Sequence, residues 1–226
     1  MQEDLLHTYL VGRADHFGLT EASGQLRPQR FEKGTYVYQP GDAQTHIHLL
    51  QKGVVKIGSY SPNSERVAYD VLQPGEFFGD LNYLDNDGIE FFEFAKAVTS
   101  ITVLSIELAF FKHIIVHDPV ASEWFNGNVV RRWWKAETRL LHMTRGNIDT
   151  RLGNLRKEYD KPVRDSTGRV HSVFELLSHQ DIADLTGTTR QTVSKKLKEL
   201  PTTISTSENH LLGGWQPPNV KFSEPM

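Results

Sequence analysis

Four side chains in the stretch SHQDIADLTGTTRQTVSKKLKEL, residues 178–200, have the chemistry to read a nucleic acid: Arg190, Gln191, Ser194 and Lys195. Arginine offers two parallel donors to the acceptors of guanine, and glutamine matches the acceptor–donor edge of adenine. Lysine can take a guanine or a phosphate. Thr188 and Thr189 precede them at a helix start, where hydroxyls and backbone amides bind phosphate. The rival reading is the solvated face of an ordinary helical hairpin, and Lys196 and Lys198 fit it equally well.

A second chemistry-bearing stretch is GEFFGDLNYLDNDGIEFFEFAKA, residues 75–97. Glu76, Phe77, Phe78, Gly79 and Asp80 form a glycine-flanked turn of the kind that cradles a phosphate. Where a phosphate would want a cation, however, the chain offers Glu90, Phe91, Phe92 and Glu93. A phosphate beside those carboxylates is repelled in a partly desolvated site. No arginine occurs between Arg66 and Arg131, although Arg131 or Arg132 could reach over from a later helix. What remains is an aromatic pocket of Phe77, Phe78, Tyr83, Phe91 and Phe92. It could hold an uncharged or lipophilic effector, or be filled by its own side chains.

Metal and redox chemistry find little support. The chain has no cysteine, so disulfides, thiolate-held iron–sulfur clusters and cysteine zinc sites are excluded. His113 and His117 are spaced to share a helix face, and His46 and His48 to share a strand face, but neither pair has a third ligand nearby. A haem is therefore disfavoured. GDAQTHIHLLQKG loosely resembles the first metal motif of cupins, yet Gln51 or Lys52 stands near the glutamate position and no later histidine follows. A cupin-like metal-dependent enzyme is kept only as an alternative. The chain is expected not to be an enzyme, and no metal or cofactor is expected.

The elements that must position these residues follow from patterning. The chain has 226 residues, enough for one large domain or two modest ones. Residues 1–144 carry 13 basic and 18 acidic side chains, and residues 145–200 carry 11 and 8. An acidic front and a mildly basic back suit a sensor joined to an anion-binding module. Residues 2–12 suggest a short helix with Leu5, Leu6, Tyr9 and Leu10 on one side. From about residue 30 to 107, β-branched and aromatic runs cut by Pro-Gly, Lys-Gly and Pro-Asn read as an antiparallel sandwich or barrel.

Asp118-Pro119 then signals a helix N-cap with proline at the first helical position, opening a long helix to about Thr144. Val129, Trp133, Ala136, Leu140 and Met143 recur at spacings of 4, 3, 4 and 3, a seam suited to a parallel partner helix. The alternative is that they pack on the chain's own β domain, and the Trp133-Trp134 pair suggests one face turned each way. Arg145-Gly146-Asn147 reads as a hinge before a helix over about 148–159. In the final segment Ser178 caps one short helix, Gly187 makes the turn and Thr189 caps the next. Val193, Leu197 and Leu200 line its buried side, a helix-turn-helix.

With these motifs in hand, the chain resembles the cyclic-AMP receptor/FNR (Crp/Fnr) family of bacterial transcription regulators along nearly its whole length. FEKGTYVYQPGD and HIHLLQKGVVKIGSY resemble the opening of the family's β-roll. LQPGEFFGDLNYLD resembles its phosphate cassette, and IADLTGTTRQTVSKKLKEL its DNA-reading unit. The resemblance implies an α+β fold: an N-terminal cyclic-nucleotide-binding-like jelly roll over 1–117, a dimerisation helix over 118–145, and a C-terminal winged helix-turn-helix over 146–226. It implies a homodimeric, sequence-specific regulator on a near-palindromic double-stranded operator, with RNA polymerase as a further partner. Two departures matter. Gln191 stands where many members have glutamate, and the family's Arg-Ser or Arg-Thr pair is absent from Glu90–Phe92, so a response to cyclic AMP is not expected. The alternative, a cyclic-nucleotide-responsive regulator, needs Arg131 or Arg132 to reach the phosphate from the long helix, where Arg132 and Trp133 fall near positions at which the family has small hydroxyl residues. A start of Met-Gln-Glu-Asp and only short apolar runs make a cytoplasmic protein without membrane contact the expectation.

Overall fold

The computed structural model of the chain describes residues 5–12, 17, 24–81 and 92–199. Of the residues singled out above, Tyr83, Glu90, Phe91, Leu200 and the wing expected after Pro201 lie outside that set. Helix α1 (Leu5–Gly12) leads into strands β1 (Leu26–Phe31), β2 (Tyr36–Tyr38), β3 (His46–Lys52), β4 (Val55–Tyr60), β5 (Arg66–Leu72), β6 (Phe77–Phe78), β7 (Phe94–Ala97) and β8 (Ile101–Glu107). There follow α2 (Leu108–His117), α3 (Pro119–Arg145) and α4 (Ile148–Tyr159), then the hairpin β9 (Pro162–Arg164) and β10 (Val170–Ser172). Short α5 (Val173–Leu176), α6 (His179–Thr186) and α7 (Arg190–Glu199) complete the described chain.

Two four-stranded antiparallel sheets, in orders β1-β8-β3-β6 and β2-β7-β4-β5, face each other as a β-roll. Alternation along β3 and β8 explains why the first sheet is buried on both sides. Leu50, Ile101 and Val103 point into the roll with Tyr38, Ile57, Leu72 and Phe78. Ile47, Leu49, Leu104 and Ile106 point outward and are covered by Leu6 and Leu10 of α1 and Phe110, Phe111 and Ile114 of α2. Pro28, which lacks a backbone donor, is tolerated because β1 is an edge strand.

The long helix starts where its cap places it. The Asp118 side chain accepts from the Ala121 amide at 2.8 Å, with Pro119 in the first turn. Its early turns bury Trp124 and Phe125 against Phe77, ring centroids 5.6 and 5.4 Å apart. Further along, Val129, Trp133, Ala136 and Leu140 are exposed, Trp133 at 63% and Trp134 at 59%. The expected division of the two tryptophans, one packing on the β domain, is therefore not seen. The aromatic that covers the roll comes two turns earlier, from Trp124. Met143, placed in the same seam, is half-buried instead and packs near the Gly187 turn, where a Cβ would lie 3.6 Å from its Sδ.

At the hinge the helix stops at Gly146, and Asn147 caps α4 by accepting from the Thr150 amide at 2.8 Å. The hairpin β9–β10 and α5 are additions to the expected elements, since the stretch DKPVRDSTGR reads as merely polar. Its signal is Asp165, whose Oδ1 accepts from the Thr167 amide, the Thr167 hydroxyl and the Arg169 amide, closing the turn. Leu152, Leu155, Tyr159, Val173, Ile182, Leu185 and Val193 form the C-terminal core, joined by Val54 and Val71 from the β-roll.

Candidate functional site

The reading unit is built from local signals. Ser178 and Asp181 form a reciprocal capping box at the start of α6, and Gly187 ends it at φ +60°, a conformation glycine adopts without strain. Arg151 of α4 donates to the Thr186 and Gly187 carbonyls at 2.7 and 3.2 Å, which fixes the turn from below. Thr189 caps α7 by accepting from the Thr192 amide at 3.2 Å. With Val193 fully buried as the anchor, Arg190, Gln191 and Lys195 are exposed and Ser194 is half-buried. Thr189 is exposed and Thr188 half-buried beside them. Lys196 belongs to the scaffold: its ammonium sits 2.9 Å from Asp149 and ties α7 to α4.

A cavity of about 470 Å³ lies between the β-roll and α3. Of the residues expected to line it, Phe77, Gly79, Phe92, Arg132 and Trp133 do so, joined by Tyr69, Asp70, Glu93, Lys135 and Arg139. Gly79, at φ +133°, lets the chain pass close to β3, where a Cβ would come within 3.0 Å of the His46 carbonyl. Phe78 faces the other way, into the roll, where it packs with Tyr38 and His48. This follows from strand alternation across Phe77-Phe78. Glu76 borders a separate cavity of about 440 Å³ on the hinge side. Asp80 is half-buried and is not among the residues that line either cavity.

The cavity's charges are paired off by the protein itself. Asp70, buried on β5, is 2.9 Å from the Lys135 ammonium, 3.6 Å from Arg132 and 3.8 Å from Arg139. Burial raises its pKa, but Lys135, Arg132 and Arg139 outweigh that and hold it below the ordinary carboxylate value. Glu158 of α4 completes the group at 3.1 Å from both Lys135 and Arg139. Burial would lower the Lys135 pKa, but the neighbouring acidic groups Tyr159, Asp70 and Glu76 outweigh it and raise the value.

Glu93 sits on the opposite wall. The Tyr69 hydroxyl donates to its Oε1 at 2.5 Å, and Tyr38 approaches Oε2 at 3.5 Å. Burial raises the Glu93 pKa, against the Tyr69 hydrogen bond and the Arg132 charge. Burial likewise pushes Glu76 up. Arg132 reaches the cavity and donates to the Phe77 carbonyl at 3.4 Å, whereas Arg131 is exposed and borders the hinge-side cavity. Lys96 lies over the Tyr36 ring, 4.7 Å from its centroid, and does not line the cavity. The spacing 132, 135, 139 puts three cations on one helix face, a signal that the apolar seam conceals in the sequence.

The reading unit is seated on the β-roll. Lys56 of β4 pairs with Asp181 of α6 at 2.5 Å, and the Ala68 amide on the edge strand β5 donates to Asp184 at 3.0 Å. Backbone bonds from Gly53 to Arg164 and from Ser166 to Ser100, each 3.0 Å, add to the seat. Asp184 thus satisfies an edge amide that the sheet leaves open.

The histidine pairs behave as side chains of the scaffold. His48 is buried between Tyr38 and Phe78, bonds Ser105 at 2.8 Å, and burial lowers its pKa to about 4. His113 and His117 are exposed with ring centroids 4.7 Å apart. Among the described residues no group of three or more His, Cys, Asp or Glu could hold a metal ion, and no helix is long and apolar enough to cross a membrane.

Comparison with known proteins agrees with this architecture. Residues 28–118 match the family description "Cyclic nucleotide-binding domain" and residues 139–202 match "Crp-like helix-turn-helix domain", which together take in most of the chain. The "Global nitrogen regulator" of Synechococcus elongatus is 26% identical over 77% of this chain and 79% of its own length. The "CRP-like cAMP-activated global transcriptional regulator" of Mycobacterium tuberculosis is 22% identical over 88% of each chain. In fold, a CRP-family transcriptional regulator from Thermus thermophilus superposes with a TM-score of 0.59 at 24% identity, covering 76% of this chain and 83% of that one. The c-di-GMP responsive regulator CLP of Xanthomonas campestris superposes with a TM-score of 0.63 at 15% identity, covering 84% and 90%.

Proposed function

The chain belongs to the Crp/Fnr family of DNA-binding transcription regulators, which are not enzymes, and from that premise we propose that it works as a homodimer whose effector cavity does not take cyclic AMP. The observation that carries the second half is the cavity's charge pairing. Asp70 already engages Arg132, Lys135 and Arg139, and Glu93 stands opposite. A cyclic phosphate entering there would meet two carboxylates and would have to displace buried ion pairs.

The dimer reading is supported by the exposed stripe Val129, Trp133, Ala136 and Leu140 on α3, and by a family that is typically dimeric. A stripe of this kind is the surface a second copy of α3 covers. Two α7 helices then face successive major grooves, so the operator is a near-palindrome with half-sites about one helical turn apart. Thr188, Thr189, Arg190, Gln191, Ser194 and Lys195 are the proposed contacts, the threonines to phosphate and the others to bases or backbone. The protein acts where DNA and RNA polymerase are found, in the cytoplasm, and needs no iron–sulfur cluster, haem or metal.

Strand β5 is the proposed link between sensing and reading. Asp70 grips the cations of α3, and two residues earlier the Ala68 amide grips Asp184 of α6. A shift of α3 against the roll therefore strains the seat of the reading unit. A ligand changes DNA affinity only by binding the two arrangements differently. A second reading, cyclic-nucleotide control, is favoured by one observation: the Arg132 guanidinium does face the cavity. Calorimetric titration with cyclic AMP, then cyclic GMP, separates the two. No saturable heat is expected; saturable binding would establish the second reading.

A further inference from the structure

The cavity beneath α3 already contains a carboxyl group of the chain's own. Glu93 is held by the Tyr69 hydroxyl at 2.5 Å, with the Tyr38 hydroxyl at 3.5 Å, and shares the cavity wall with Arg132. Tyr69 and Tyr38 are themselves well anchored. Tyr38 is fully buried in the roll beside Phe78, and the Tyr69 carbonyl accepts from Arg139. Glu93 directly precedes β7, which pairs with β2 and β4, and the Ser59 hydroxyl donates to the neighbouring Phe92 carbonyl at 2.9 Å, so the backbone on both sides of Glu93 is tied to β4. A carboxyl group presented at the start of β7 to two phenols, with the Arg132 charge acting on it across the cavity, sits among the groups that an anionic ligand would require.

We propose that Glu93 is a tethered occupant of the effector cavity: it fills the anion position that a small carboxylate or phosphate would otherwise take, and so holds α3 on the β-roll without a bound effector. This rests on the cavity being the sensor site proposed above. Two consequences follow from it. The native protein binds its operator without any added small molecule. Removing the Glu93 side chain leaves a hole of carboxylate size beside the Tyr69 and Tyr38 hydroxyls, open to the cavity that Arg132 also lines, which converts the cavity into a site for a free carboxylate such as acetate.

The test uses the full-length protein and its Glu93→Ala and Glu93→Gln variants, with acetate added against matched chloride. Glu93→Ala is expected to lose operator affinity by about tenfold or more, as removal of a charged hydrogen-bonding group does. Acetate should restore it and should raise the variant's melting temperature without DNA present. Glu93→Gln keeps the size of the side chain but not the charge. It is expected to bind DNA more weakly than the native protein, with an unchanged circular dichroism spectrum and no response to acetate because no hole is opened. An affinity of Glu93→Gln equal to the native one, or a Glu93→Ala protein that folds and ignores acetate, would overturn the proposal. Because the acetate-dependent melting shift is read without DNA, a failure of the operator reading would show separately, as a native protein that binds no DNA.

Discussion

The reading unit and the cavity beneath α3 are assembled in opposite ways. The features that start, turn and cap the reading unit lie within residues 178–199: the Ser178–Asp181 box, the left-handed Gly187, the Thr189 cap and the buried Val193; Arg151, Asp149, Lys56 and the Ala68 amide only brace it from outside. The cavity draws Tyr69 and Asp70 from β5, Phe77 from β6, Glu93 from the edge of β7, and Arg132, Lys135 and Arg139 from α3. The first is a local device that tolerates changes elsewhere. The second is a meeting of distant charges in which each group depends on several others, so a single substitution there should cost far more.

The sharpest way to break that comparison is Asp70→Ala. It removes the one buried member of the group and leaves the half-buried Lys135, Arg132 and Arg139 short of their shared partner, with an expected loss of roughly 3 kcal/mol in urea unfolding. A loss below about 1 kcal/mol would mean that Glu158 and solvent carry these cations instead.

A pH titration of stability bears on the same side of the molecule. His48 binds its proton with a pKa of about 4 in the fold and about 6.5 unfolded, so between those values the unfolded chain holds more protons. Stability from this group is therefore fully present above about pH 6.5 and is lost as pH falls toward 4, by roughly 3 kcal/mol. Comparing the acid limb of the native protein with that of His48→Gln isolates the contribution; matching slopes in the two proteins would contradict it.

On the reading side the expected effects are smaller and separable. Arg190→Ala should cost roughly 1–3 kcal/mol of discrimination at one base pair while leaving the melting temperature unchanged, since the side chain is exposed. Binding-site selection with native and variant proteins reads this directly, and an unchanged base preference would remove Arg190 from the readers. Smallest is Ser178→Ala, which deletes one half of the α6 capping box and should cost about 1 kcal/mol of unfolding free energy.

The same contrast governs what is legible in the sequence. The N-cap at Asp118-Pro119, the break at Gly146-Asn147 and the turn at Gly187 are local chemistry, and the helices begin and end there. The alternation of the β runs is enough for a roll of antiparallel strands. The charge group around Asp70 is not legible, because Asp70 and Lys135 are far apart in the chain and each alone looks like a surface residue. The Lys56–Asp181 and Ala68–Asp184 contacts are hidden for the same reason. Phe77 and Phe78 read alike as pocket residues, but adjacent residues of a strand point to opposite faces, and only Phe77 lines the cavity. The β9–β10 hairpin is legible in principle from Asp165-Ser166-Thr167-Gly168, a turn sequence whose composition also suits a polar linker.

The protein pairs a DNA-binding reading unit with a cavity beneath α3 lined by paired charges of its own. The most direct test is the affinity of the full-length protein for a selected near-palindromic operator, measured by fluorescence anisotropy with and without cyclic AMP. Tight, saturable binding that is the same in both conditions is expected. A rise in affinity on adding cyclic AMP would mean that Arg132 is released to the nucleotide phosphate, and would contradict the claim that Asp70 and Glu93 keep the cavity closed to it.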